Sequence, residues 1–243
     1  MISASAMSLL YPAARIPDHS SEEFLEDLVD EAECDIRECL NAGAACVQID
    51  FTEARLSLKL DPSAELLKSF VRLNNQVLER FRAGERSRIG VHTCPGGDRD
   101  STHSADIDYS ALRPLLFGLN AGRFYIQLAG EPDRKKVLAT IAGLLKTGQI
   151  VFIRTTDPIN PVVETPEQVR DRVIEAASFI PVAALGRPMI ADSLPLRTTL
   201  RLRATSPLPR YRAASKELPW PPMLSRYESG HCEALGFHPN RAD

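Results

Sequence analysis

The chain has 243 residues, 44% hydrophobic and 25% charged, with 29 basic against 32 acidic side chains, the profile of an ordinary globular protein. No run of about 18 apolar residues occurs, which excludes a membrane-spanning helix, and MISASAMSLLYPAARIP lacks the charged start and apolar core of a signal peptide. A net charge of −3 offers no basic footprint for nucleic acid, so the expectation is a cytoplasmic protein that partners neither membrane nor nucleic acid.

From about Ser21 the text SEEFLEDLVDEAECDIRECLNAG has a serine cap, glutamates in its first turn and apolar residues at helical spacing, with Gly43 where a helix would end. AACVQIDF follows as a short apolar run suited to a buried parallel strand. The pattern then repeats: helix from Ala64 to about Ala83, strand RIGVHTC, helix from Tyr109 to Leu119, strand RFYIQLA, helix from Asp133 to Lys146, strand QIVFIRT, helix from Pro166 to Phe179. Such alternation predicts βα units on a parallel sheet. The strands end on Asp50, on His92 and Cys94, on Gln127 and just before Asp157, and in parallel α/β folds that rim holds the ligand. Gly96-Gly97 opens no helix at once, which argues against a phosphate loop.

His92 and Cys94 are two apart on a strand, so both project from one face, a geometry for two ligands of an ion such as zinc. The bland reading is a buried histidine beside a buried cysteine. Asp50 at a strand end can hold an ammonium group, and Arg55 can either fix that carboxylate or bind an anionic substrate. Against this, Glu53 and Arg55 read equally well as a solvated pair at a helix start. His103 with Asp98, Asp100, Asp106 and Asp108 reads as a solvated loop. The odd count of five cysteines predicts free thiols or a metal ligand rather than a disulfide framework, with Cys34, Cys39 and Cys46 as packing groups.

QIDFTEARLSLKLDPS, IGVHTCPGGDRDSTHSADIDY, FYIQLAG and DPINPVVETPEQVRDRVIEAASFIP together resemble the C-terminal catalytic barrel of cobalamin-independent methionine synthase and its shorter relatives in the uroporphyrinogen-decarboxylase-like superfamily. The resemblance spans roughly 8–186 and implies a (β/α)8 TIM barrel, a catalytic Zn2+, and methyl transfer from a methylfolate to a thiol such as homocysteine, in methionine biosynthesis. By the same resemblance His92 and Cys94 match the zinc ligands, Asp50 the group that holds the substrate's amino group, and Arg55 an arginine of the same motif, with Glu53 between them as a further substrate-binding candidate. The family's third ligand, a glutamate, has no clean counterpart: Gln127 stands near its place and Glu131 lies four residues on. Its strand-end histidine is replaced by Asp157-Pro158-Ile159-Asn160. A non-catalytic half-barrel, or a metal-free decarboxylase or lyase on the same fold, are the alternatives.

Residues 187–243 differ from the rest: 57 residues carry nine Lys/Arg, five Asp/Glu and eight of the 18 prolines, a charge of +4 against −7 for residues 1–186. Back-translating Pro188 to Leu196 and starting each triplet one base early permits Thr-Asp-Asp-Cys-Gly-Phe-Ser-Pro-Phe, which is how the relatives continue at this point. The expectation is therefore a partial barrel over 1–186 of about four to five βα units, with its start cut, followed by a Pro/Arg-rich tail read in a shifted frame. The tail should be poorly ordered, without regular sheet or long helix beyond about Leu185, and its His231 and Cys232 should not be metal ligands.

Overall fold

The computed structural model describes residues 1–9, 19–94, 107, 109–157, 160 and 162–186. The chain divides into two compact units, Met1–Asp192 and Ser193–Asp243, and the whole of the second lies outside the described residues, as do the expectations for the tail and for His103, Asp98, Asp100, Asp106 and Asp108.

The first unit is mixed α/β. Its strands β1 (Val47–Asp50), β2 (Ile89–Thr93), β3 (Arg123–Gln127) and β4 (Ile150–Arg154) pair in parallel in the order β1-β2-β3-β4. Around them run α1 (Ala4–Ser8), α2 (Ser21–Asn41), α3 (Glu53–Leu60), α4 (Glu65–Glu79), α5 (Ala83–Arg86), α6 (Tyr109–Leu116), α7 (Arg134–Leu144) and α8 (Pro166–Phe179). The predicted elements are all present, with boundaries trimmed by a few residues, and α1, α3 and α5 are additions.

Local chemistry accounts for the boundaries. The Ser20 hydroxyl accepts from the Glu23 backbone N–H at 3.1 Å and the Glu23 carboxylate accepts from the Ser20 N–H at 2.7 Å, a capping box that starts α2. These hydrogen bonds also hold the Glu23 carboxyl below its usual range. At the far end Gly43 takes φ +91°, where a side chain would be strained. Thr165 caps α8 with Gln168 in the same reciprocal manner, and Pro166 sits at the first helical position, where its missing N–H costs nothing. Helix α3 lacks a side-chain cap, and it holds because Ala54, Arg55, Ser57 and Leu58 are buried by the fold around it.

The strands have two unlike faces, because alternate side chains point to opposite sides. One face carries Val47, Ile49, Phe51, Ile89, Val91, Phe124, Ile126, Leu128, Val151 and Ile153, all at most 6% exposed and joined in one core with Ile36, Leu67, Leu78, Leu112, Leu116 and Leu138 of the helices. Phe117, just past α6, stacks on Phe124 with ring centroids 4.5 Å apart. Full burial of such a ring contributes about 2–3 kcal/mol. The opposite face is half-buried at Gln48, Asp50, His92, Arg123, Tyr125, Ile150 and Phe152. Tyr125 and Phe152, register partners, stack there at 4.6 Å. Gly90 makes room: a Cβ at that residue would come within 2.5 Å of the Tyr125 ring. The described helices thus cover one face of the sheet.

Both outer edges carry one further bridge. The Asp50 N–H donates to the Met1 carbonyl at 2.8 Å and Ile2 bridges Asp50 beside β1, while the Gly186 N–H donates to the Val151 carbonyl at 2.8 Å and Leu185 bridges Val151 beside β4. The chain thus enters a fifth parallel position beside β4 at the point where the charge balance of the sequence changes.

Candidate functional site

The strand register brings the candidate residues to one rim. Asp50 pairs with His92, His92 with Tyr125 and Tyr125 with Phe152, so their side chains form a row across the half-buried face. One step toward the C-terminal ends, Gln127 pairs with Arg154, and continuation of the β2 register sets Cys94 beside Gln127.

His92 Nδ1 and Asp50 Oδ1 are 2.9 Å apart, with the histidine side chain 13% exposed and the aspartate 47%. A carboxylate at that distance can take the Nδ1–H and so orient the imidazole. Cys94 is a free thiol, 4% exposed.

Arg55 and Glu53 lie at the start of α3 and are not solvated, contrary to the bland reading of the sequence: they are 3% and 5% exposed. Arg55 fixes a carboxylate, but that of Glu131 rather than Asp50, with Nη1 3.2 Å from Glu131 Oε1 and Nη2 donating to the Ile107 carbonyl at 2.8 Å. Glu131 is thereby engaged, which removes the nearest acidic substitute for a third zinc ligand. Glu53 accepts hydrogen bonds from the Ser3 and Ser5 hydroxyls of the N-terminal segment, and Ser5 in turn accepts from Asn74 Nδ2 at 2.6 Å. Its other oxygen, Oε2, is buried without a partner among the described residues. Burial raises the Glu53 carboxyl above its ordinary 4.5, the two serines oppose that shift, and the Asp50 charge adds to it. Of the three substrate-binding candidates, only Asp50 therefore presents an accessible carboxylate at the rim.

A structural zinc site needs four donors and a catalytic one three plus an open position. The described rim supplies two, His92 Nε2 and Cys94 Sγ; Gln127 brings a neutral amide and Arg154 a cation. Among the described residues no three His, Cys, Asp or Glu stand together as a metal cluster. The described residues do not fit a complete zinc centre. Elsewhere Cys39 and Cys46 are free thiols, as expected, but Cys39 is exposed rather than a packing group, and Cys34 is disulfide-bonded; both correct the sequence expectation.

The sequence reading passed over Arg154. It ends an otherwise apolar strand, IVFIR, and two-residue periodicity from Phe152 places it on the Tyr125 face. That single basic residue in an apolar run was the available signal.

No helix among the described residues is long and apolar enough to cross a membrane. No protein-family model and no curated protein matches the chain by sequence. Among solved structures it is similar to a B12-independent methionine synthase from Shewanella sp. W3-18-1, in complex with selenomethionine, with a TM-score of 0.52 and 17% identity over 71% of this chain. The chain spans about half, 48%, of that protein's length. At this identity the likeness concerns the fold: the chain shares a parallel α/β architecture with a cobalamin-independent methionine synthase.

Proposed function

We propose that the described unit is part of a (β/α)8 barrel built for alkyl transfer to a thiol, the chemistry of cobalamin-independent methionine synthases, and that this chain is impaired in it. The observation that carries the reading is the Asp50–His92 pair at 2.9 Å with Cys94 two residues on, all at the C-terminal rim of a parallel sheet. Asp50 orients the imidazole through Nδ1, and its half-exposed carboxylate is suited to the ammonium of an amino-acid substrate. His92 and Cys94 are the two groups that would contribute to holding zinc, which when bound keeps a substrate thiol as thiolate at neutral pH. Two donors hold the metal weakly. Methylfolate and homocysteine are the substrates that the family resemblance suggests.

A second reading, a non-catalytic barrel fragment, is favoured by the sheet itself: four strands and two edge bridges are present among the described residues, where a barrel closes with eight strands.

Zinc analysis of the purified chain separates these readings. The expected result is substoichiometric zinc in the native protein and none in His92→Ala. A form in which residues from 187 onward are replaced by the alternative reading frame should bind zinc stoichiometrically and transfer a methyl group from methylfolate to homocysteine. If neither form binds zinc, the alkyl-transfer reading fails and the fragment reading stands.

A further inference from the structure

Arg154 is the last residue of β4 and only 8% exposed, yet among the described residues no carboxylate pairs with it and its Nε is buried without an acceptor. Beside it on the same face, in direct register, Gln127 is 4% exposed and its Oε1 is also buried without a partner. A buried guanidinium is costly unless an anion compensates it, and an unmatched side-chain amide beside it adds to that cost. We propose that Arg154 and Gln127 form a carboxylate-binding subsite on the same rim as Asp50, His92 and Cys94, using none of those three residues.

The chemistry selects the ligand. A guanidinium presents parallel N–H donors that match the two oxygens of a carboxylate, and the Gln127 amide can turn an N–H toward the same group, since its oxygen and nitrogen exchange places by a flip. Asp157 limits the charge the site accepts. Its Oδ2 and the Gln127 Nε2 both flank Gly130, at 3.1 and 3.5 Å from where a Cβ would stand, so a negative group already lies close by. A monoanion is therefore favoured over a dianionic phosphate. The stacked rings of Tyr125 and Phe152, half-buried, are the next side chains along the same face and offer a flat apolar wall. The fitting class is a planar or aromatic monocarboxylate.

Arg154 and Asp50 lie three strands apart, roughly 14 Å at ordinary strand spacing. The subsite does not depend on the alkyl-transfer reading, and a binding measurement tests it without any activity.

The experiment is calorimetric titration of the full chain with benzoate, acetate and inorganic phosphate, on native protein, Arg154→Met, Arg154→Lys and Asp50→Asn. Native protein should bind benzoate more tightly than acetate, and phosphate weakest. Arg154→Met should weaken benzoate at least tenfold, Arg154→Lys less, and Asp50→Asn by under twofold. Because Arg154→Met removes an uncompensated buried charge, it should melt at the same temperature as native protein or higher, and benzoate should raise the melting temperature of native protein and Asp50→Asn but not that of Arg154→Met. The proposal is overturned by equal benzoate binding in Arg154→Met, by phosphate binding as tight as benzoate, or by a lower melting point for Arg154→Met, which would reveal a structural partner for the guanidinium.

Discussion

On the helix side of the sheet Val47, Ile49, Val91, Phe124, Ile126 and Val151 are closed off from solvent, whereas the same four strands turn Asp50, His92, Tyr125, Phe152, Gln127 and Arg154 to the other side. On the first side side-chain shape decides, and Phe117 on Phe124 is a packing contact. On the second, polar groups accumulate toward the C-terminal ends, and two of them, Gln127 and Arg154, are buried with polar atoms unmatched. The helix side also holds a buried polar atom unmatched among the described residues, the Thr93 hydroxyl, so it is the charge of the Arg154 guanidinium that sets the second face apart.

The largest effect that could break this contrast comes from two phenylalanines of neighbouring strands, Phe124 on the helix face and Phe152 on the other. Phe124→Ala should cost about 3–5 kcal/mol, while Phe152→Ala, which truncates a half-buried ring, should cost about 1–2 kcal/mol, both read from urea denaturation. Equal losses would mean that the half-buried face is as tightly packed as the helix face. A smaller effect separates two carboxylates three residues apart. Asp50 is half exposed at the rim and Glu53 is buried, with its carboxyl raised above 4.5. A raised folded-state value means that the stability due to protonated Glu53 is present below pH 4.5 and is lost as the pH rises through the higher folded value. Glu53→Gln keeps an acceptor for Ser3 and Ser5 and removes the charge, so stability measured from pH 4 to 8 should fall less steeply than in native protein; an unchanged slope would place that charge in water. The smallest effect lies away from both faces. Ala64 holds φ +63° ahead of α4, and Ala64→Gly should stabilise the chain by up to about 1 kcal/mol in the same denaturation assay, with zinc content unaltered.

Much of the layout was legible because it is written locally. Ser20 and Glu23, Thr165 and Gln168, and the turn at Gly43 set helix ends by contacts within a few residues. Strand positions followed from short apolar runs between helical ones. Helix α3 was not legible: it has no cap, follows a strand directly, and is held by burial against distant elements. The same limit applied to Arg55. Its spacing from Asp50 suggested a shared task, but its partner Glu131 comes from the loop after β3, and only folding brings the two within 3.2 Å. For Arg154 the residue was visible in the strand, but its burial was not.

By itself the sequence determined the alternation of strands and helices, the strand ends that carry Asp50, His92, Cys94 and Gln127, and the change of composition after Gly186, because periodicity, capping and charge are local properties. Only the tertiary structure decided which polar groups meet and which are left unmatched. Asp50 reaches His92, Arg55 reaches Glu131, Glu53 turns to Ser3 and Ser5, and Arg154 stays buried beside Gln127 without an anion among the described residues. Partner choice depends on the register between strands and on burial, and both arise when elements far apart in the chain pack together.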